Sequence, residues 1–216
     1  KKLTEIVKID KMLRKVGIVM ELKLPKTKNA KEKFARIIEA ADTEFYEKGY
    51  ENTTIASITS RAGMAVGTFY LYFKDKISLY HYILFDYQDR LKRYIQARIG
   101  NSVDRYEKEK LGLIAWLEFI NENPRTYNII WQSLIINKSL FVDYYAKFSR
   151  SYQRGLFKDK EQIQDIDHQT LALSLMGIST FLGLKSMLEN DRKLEDKEIE
   201  QMADDVMKVL KNGLFK

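Results

Sequence analysis

The stretch Thr53–Lys76, TTIASITSRAGMAVGTFYLYFKDK, reads as two short helices around a glycine turn, followed by the start of a third helix. Ile55 and Ile58 share one face with Ala62 a turn further on, and the Thr53/Thr54 pair offers a side-chain oxygen to cap the N-terminus. Gly63 tolerates the positive φ that lets the chain reverse within three or four residues, as a helix-turn-helix requires. The second helix starts near Ala65 or Val66. Gly67 and Thr68 fall in its first turn, where a glycine lets backbone approach a phosphate and a small hydroxyl reaches a base edge or phosphate oxygen. Phe69 and Phe73, four apart, share an inward face. Tyr70 and Tyr72 are expected to offer their phenols outward, and Lys74 and Lys76 to sit at the rim, placed for phosphate. The candidate DNA contacts are therefore Thr53, Thr54, Ala65, Val66, Gly67, Thr68, Tyr70, Tyr72, Lys74 and Lys76.

These residues resemble the tetracycline-repressor (TetR) family of bacterial transcription regulators, whose signature is close to T-I-x-x-I-A-x-x-A-G-V-S-x-G-T-x-Y-x-Y-F-x-x-K. Thr54, Ile55, Ile58, Ala62, Gly63, Gly67, Thr68, Tyr70, Tyr72, Phe73 and Lys76 match in order. Departures fall at Thr59 for the usual Ala, Met64 for Val and Ala65 for the usual Ser. That Ser would cap the recognition helix and touch phosphate; Ala does neither, at a cost of about 1 kcal/mol. The resemblance covers only the early part of the chain. It implies a dimeric repressor of a palindromic operator, released by a ligand.

Composition bounds the rest. The 216 residues and 45% hydrophobic content suffice for one large or two small domains with a filled core. Two prolines and ten glycines point to a nearly all-helical chain. The absence of cysteine excludes disulfides and thiolate metal sites and fits a reducing cytoplasm. Two histidines, His81 and His168, are too few for most catalytic or zinc constellations, so no catalytic residue, metal or cofactor is predicted. Asp165-Ile166-Asp167-His168 reads as a helix cap rather than a metal site. The net charge of +7 is uneven: residues 1–100 hold 20 Lys/Arg against 12 Asp/Glu, and residues 101–216 hold 17 against 18. The basic half contains the proposed head, where positive charge attracts a polyanion. The longest uncharged stretch, around LALSLMGISTFLGL, is shorter than the roughly 20 residues a spanning helix needs. Lys8, Asp10, Lys11, Arg14 and Lys15 break up any secretory apolar core. A cytoplasmic protein without a membrane partner is expected.

In order, residues 1–28 form a basic extension, either an arm that tracks phosphate or a mobile tail, the tail being favoured. Residues 29–76 form the helix-turn-helix domain, whose first helix, 31 to 48, carries Phe34, Ile37, Ile38, Ala41 and Phe45 and stops at Gly49. Residues 77–216 form an effector-binding and dimerisation domain. Asp75 caps a long helix reaching Ile99 that links the head to this bundle. Five more helices follow, near 103–122, 124–136, 139–159, 167–189 and 195–213, with Asn123-Pro124 fixing one boundary.

The aromatic residues of the bundle suggest a pocket for a small, apolar or aromatic effector, with few charges between the rings. Trp116, Phe119, Tyr127, Trp131, Tyr144, Phe148, Tyr152 and Met176 are its candidate lining, although core packing is the commoner fate of each. The last two helices suggest a homodimer interface through Leu171, Leu175, Ile178, Leu182, Met202, Val206 and Leu210. The fold expected is all-α: a three-helix DNA-binding head joined by a long helix to a ligand-binding and dimerisation bundle. The function expected is a regulator of transcription that binds double-stranded operator DNA. A helical-bundle enzyme is the first rival, and a basic membrane-surface or adaptor protein the second; neither has a motif to match the head.

Overall fold

The computed structural model describes residues 25–188 and 193–212, and those residues form nine α-helices and one 3-10 turn, with no strand among them. All but the last four residues of the expected basic extension lie outside the described residues. The chain divides into two compact units, Lys1–Tyr87 with Asn128–Leu140, and Gln88–Tyr127 with Phe141–Lys216.

In the first unit, α1 (Lys28–Asn52) begins where the Thr27 hydroxyl accepts the Ala30 N–H at 3.2 Å. Its buried stripe is Phe34, Ile37, Ala41 and Phe45. Gly49, at φ 74 and ψ 166, breaks the helical run at the expected stop, so the final residues to Asn52 form a separate turn. α2 (Ile55–Arg61) starts from a reciprocal box: Ser57 N–H donates to the Thr54 hydroxyl at 3.0 Å, and Thr54 N–H donates to Ser57 Oγ at 3.2 Å. Gly63, at φ 63, then turns the chain. A Cβ there would lie 2.8 Å from Arg36 Nη2, which itself donates to the Ala62 carbonyl at 2.5 Å. Conformation and space both demand glycine at this turn. α3 (Val66–Tyr70) follows, and α4 (Lys76–Ile99) starts with a box between Asp75 and Ser78.

Phe34 is the hub of the head core. Its ring stacks on Phe73 at 5.3 Å and meets the edges of Tyr72 and Tyr82 at 5.4 and 5.1 Å. Phe69 and Phe73 are buried as the spacing predicts. Tyr72 is not outward, as expected, but 6% exposed, its phenol donating to the Ala30 carbonyl at 3.1 Å. The short α3 ends before it, and the following turn swings Tyr72 back onto α1.

Two further expectations are corrected at the end of α1, whose last carbonyls have no partner within the helix. Thr53 is fully buried, and its hydroxyl lies 2.7 Å from the Gly49 carbonyl and 3.0 Å from that of Glu44. Lys76 is not at a phosphate-facing rim; its ammonium donates to the carbonyls of Tyr50 and Thr53 at 2.6 and 2.7 Å and lies 4.1 Å over the Tyr50 ring. Burial lowers the Lys76 pKa. Both side chains close the fold and are not free for DNA.

A buried carboxylate ties α1 to α2. Glu44, 2% exposed, receives Arg61 Nε at 2.6 Å and Lys48 Nζ at 2.8 Å. Burial alone would raise its pKa, but hydrogen bonds from Lys48, Ser57 and Arg61 and the Lys48 charge outweigh it and hold the group at about 2.

In the second unit, α5 (Arg105–Glu122) is capped by Asp104, which accepts the Glu107 N–H at 2.7 Å, and is buried almost all round from Leu113 to Ile120. α6 (Pro124–Ile136) begins in this unit, where Tyr127 donates to the Thr180 carbonyl at 2.5 Å. α7 (Lys138–Lys158) lies in it from Phe141 onward. α8 (His168–Leu188) starts at Asp167, which accepts the Thr170 N–H at 2.8 Å. α9 (Asp196–Asn212) packs Ile199, Ala203 and Met207 against α5. Asn121 fixes the entry to α9 by pairing with both the N–H and the carbonyl of Leu194, at 2.8 and 3.0 Å.

The expected interface face of α8 is corrected. Leu175 is 7% exposed and turned inward with Ile178, whereas Leu173 and Phe181 are 49% and 68% exposed. The helix is apolar on every side, so periodicity alone does not choose its phase. On α9, Val209 and Leu210 are exposed, with Met202 and Val206 half-buried. Among the described residues no helix is long and apolar enough to cross a membrane.

Two outcomes follow for the head. Because folding depresses the Glu44 pKa, its contribution is present above the ordinary value of 4.5 and lost as pH falls toward about 2. Glu44→Gln should cost on the order of 2 kcal/mol at pH 7, allowing for the half-exposed partners, and the gap from wild type in urea unfolding should shrink below pH 4.5. A gap independent of pH would contradict the pairing. Lys76→Met, which removes the ammonium donor from the Thr53 carbonyl and leaves that of Tyr50 with only the Thr53 N–H at 3.3 Å, should lower stability by about 1–3 kcal/mol in the same assay; an unchanged midpoint would return Lys76 to the surface.

Candidate nucleic-acid interface and ligand cavity

The first candidate site is the outer face of the helix-turn-helix. Thr54, Ala65, Val66, Gly67, Tyr70 and Lys74 are exposed, and Thr68 is half-exposed. No atom lies within 4 Å of where a Gly67 Cβ would be, so the backbone of α3 is open to a close approach. Ala65 occupies the N-cap without a side-chain hydrogen bond, as its departure from the motif implies. Tyr70 is 54% exposed with its ring edge-on to Phe69 at 5.4 Å, which holds the phenol in a fixed direction at the surface. Sequence reasoning missed Leu71, which is 59% exposed beside it. The signal was the outward phase shared by consecutive residues where a one-and-a-half-turn helix ends. Lys28 and Lys33 of α1 add exposed charge to this unit, whereas Arg61 is bound to Glu44 and Glu47.

The second candidate is a cavity of about 340 Å³ inside the second unit, walled by α4, α5, α7, α8 and α9. Trp116, Tyr144, Phe148, Tyr152 and Met176 line it as expected. Phe119, Tyr127 and Trp131 do not. Phe119 turns to Tyr94, ring centres 5.8 Å apart; Tyr127 is spent on the Thr180 carbonyl; Trp131 belongs to the first unit. Four residues expected at a dimer surface, Leu175, Ile178, Val206 and Leu210, line the cavity, and of these Leu210 is also exposed.

The expectation of few charges between the rings is overturned. Six cationic side chains, Lys92, Arg105, Lys108, Lys147, Arg154 and Lys158, share the wall with only three anionic ones, Asp89, Glu109 and Asp159. Arg105, 7% exposed, pairs with Glu109 and reaches Asp159 at 3.3 Å, while its backbone N–H donates to Gln162 at 2.7 Å. Tyr152 donates its phenol to Glu109. Lys108 donates to both oxygens of Asp159 at 2.9 Å. Burial would raise the Asp159 pKa, but the bonds and charges of Lys108 and Arg105 lower it on balance. Lys147 lies 3.6 Å from Asp89, and burial lowers its pKa despite that partner. Lys92, Arg154 and Lys158 make no ion pair among the described residues, leaving a positive excess beside an apolar and aromatic interior. A sequence signal existed: Lys147, Ser151, Arg154 and Lys158 recur at helical spacing next to the ring stripe of the same helix. Such a wall suits a ligand with an apolar chain and an anionic end.

Residues 37–83 match the family of bacterial regulatory proteins described as the tetR family. The chain is 34% identical over 96 residues to the fatty acid metabolism regulator protein of Bacillus subtilis, covering 40% of this chain and 44% of that protein. It is 24% identical over 102 residues to the transcriptional activator FasR of Mycolicibacterium smegmatis, 47% of each. The matched stretch thus spans about half the length of these curated relatives. Over nearly the whole chain the fold is that of the fatty acid degradation regulator FadR from Bacillus halodurans, with TM-score 0.74, 20% identity and coverage of 88% of this chain and 98% of that one. FadR from Bacillus subtilis, solved in complex with stearoyl-CoA, aligns with TM-score 0.69 and 18% identity over 84% of this chain and 100% of its own. The helix-turn-helix head, at residues 37–83, is thus that of the tetR family of bacterial regulatory proteins.

Proposed function

We propose that the chain is a DNA-binding transcriptional regulator that acts as a homodimer on a palindromic operator and is released from it by an amphipathic, anionic small molecule of the long-chain acyl-CoA class. The observation that carries this reading is the wall of the cavity, where rings and aliphatic side chains adjoin six cations against three anions. An acyl-CoA thioester has the matching halves, an apolar chain and a phosphorylated head, and the Bacillus subtilis neighbour holds stearoyl-CoA. The small, predominantly apolar or aromatic effector expected from sequence suits this wall less well.

The switch resides in α4. Its N-terminal part puts Leu79, Tyr80, Ile83 and Leu84 into the core of the first unit, and its C-terminal part puts Gln88, Asp89, Lys92, Ile95, Gln96 and Ile99 into the cavity wall. A ligand that binds better to one placement of this helix biases the population of head positions. Adjacent half-sites lie about 34–36 Å apart, so a few ångströms in the separation of two heads penalise binding. In this reading the partner copy docks on the outer face of α8, where the exposed Leu173 and Phe181 flank Gly177, and on the exposed Val209 of α9.

On an operator selected from random duplexes by the purified protein, Tyr70→Ala should weaken binding at least tenfold. Lys74→Ala should reduce the log-log salt slope by about one for a single phosphate contact. Lys76→Met, measured where it remains folded, should leave that slope unchanged. Full operator affinity in both the Tyr70 and Lys74 variants would remove the DNA assignment from this face. Phe181→Glu should give a folded monomer in sedimentation, since the side chain is 68% exposed within one copy. A dimer of unchanged stability would place the interface elsewhere.

A further inference from the structure

The second helix of the helix-turn-helix carries no side chain of the kinds that recognise guanine, adenine or cytosine by paired hydrogen bonds. From Ala65 to Leu71 there is no Arg, Lys, Asn, Gln, Asp or Glu. Three cations of the head that could reach across to bases are held by the protein itself. Arg36 donates to the Ala62 carbonyl at 2.5 Å, Arg61 is bound to Glu44 at 2.6 Å and to Glu47 at 2.5 Å, and Lys76 donates to the carbonyls of Tyr50 and Thr53. Lys74, which is exposed, lies beyond the end of α3.

What this face presents to solvent is mostly carbon. Val66 is 44% exposed and Leu71 59% exposed, and between them Gly67 has open space where a Cβ would be, so nothing on the protein holds a duplex away from Val66. The polar groups are the hydroxyls of the half-exposed Thr68 and the exposed Tyr70. In the major groove, guanine is read by Arg or Lys, adenine by Asn or Gln and the cytosine amino group by a carboxylate, while a small hydroxyl bonds to several bases without choosing one. The thymine methyl is the remaining base-specific feature, and it is read by apolar contact. A valine and a leucine have no part in holding phosphate, so their exposure on a face that meets a polyanion points to the bases.

We propose that Val66 and Leu71 are specificity-determining residues that read the 5-methyl groups of thymine in the major groove, so that each half-site is defined by its thymines. Tyr70 and Lys74 then supply affinity shared by all sequences, and the methyl contacts supply the discrimination. The inference rests on the DNA-binding reading of the same face and adds to it how sequence is recognised there.

The test uses the full chain and an operator selected from random duplexes, with each thymine replaced in turn, symmetrically in both half-sites, by deoxyuridine, which lacks only the methyl. At one or more positions the replacement should weaken binding by about fourfold per methyl, or about sixteenfold for the symmetric pair. Val66→Ala or Leu71→Ala should each reduce the penalty at one such pair to less than about twofold, because the methyl no longer has a partner. Thermal melts should show both variants folded, as both side chains are exposed; if one fails to fold, the other carries the comparison. An operator that tolerates deoxyuridine throughout, or one whose selected half-sites contain no thymine, overturns this inference and leaves DNA binding by this face standing. A penalty unchanged in both variants arises from the deformability of the duplex and not from contact, and overturns it equally. Failure to enrich any duplex overturns the DNA-binding reading as well.

Discussion

The carbonyl groups at the C-terminal end of α1 are the constraint on which the head depends. A helix end leaves its last carbonyls without partners, and a buried end must find them elsewhere. Here the Thr53 hydroxyl takes Gly49 and Glu44, the Lys76 ammonium takes Tyr50 and Thr53, and the Asn52 amide takes Lys48 at 3.0 Å. Thr54, the next residue, caps α2, and Lys76 is the first residue of α4. Three helix termini are thereby held at one point, and the Glu44–Arg61 pair fixes the angle between α1 and α2. α3, only five residues long, has too few internal hydrogen bonds to position itself. Its outward residues face a common direction because their neighbours are anchored.

This arrangement explains which parts were legible beforehand. Helix limits were readable to within a few residues because caps and breakers are local: Thr54, Gly63, Asp75, Gly100 and Pro124 each act through their own backbone. The inward Phe69 and Phe73 followed from four-residue spacing. Thr53, Tyr72 and Lys76 misled for the opposite reason. Their partners are 4 to 42 positions away, and a threonine, tyrosine or lysine beside a recognition helix has the same chemistry whether it meets a phosphate or a helix-end carbonyl.

The cavity was half legible on similar grounds. Ring-rich helices announced an interior space, and Trp116, Tyr144, Phe148, Tyr152 and Met176 do line it. Its polarity did not announce itself, because Arg105, Lys108 and Asp159 are brought together across more than fifty residues. The phase of α8 was beyond periodicity altogether, since an evenly apolar helix offers no stripe; only packing against α5 decides that Leu175 faces inward and Phe181 outward.

The central claim is that occupancy of this cavity and occupancy of the DNA face are coupled through α4, and coupling between two bound ligands is reciprocal. The most direct measurement is a thermodynamic cycle in which stearoyl-CoA affinity is titrated with and without saturating operator, and operator affinity with and without saturating stearoyl-CoA. Each ligand should weaken the other by the same factor, in the range of about 5- to 150-fold. Affinities that are each unchanged by the presence of the other ligand would contradict it.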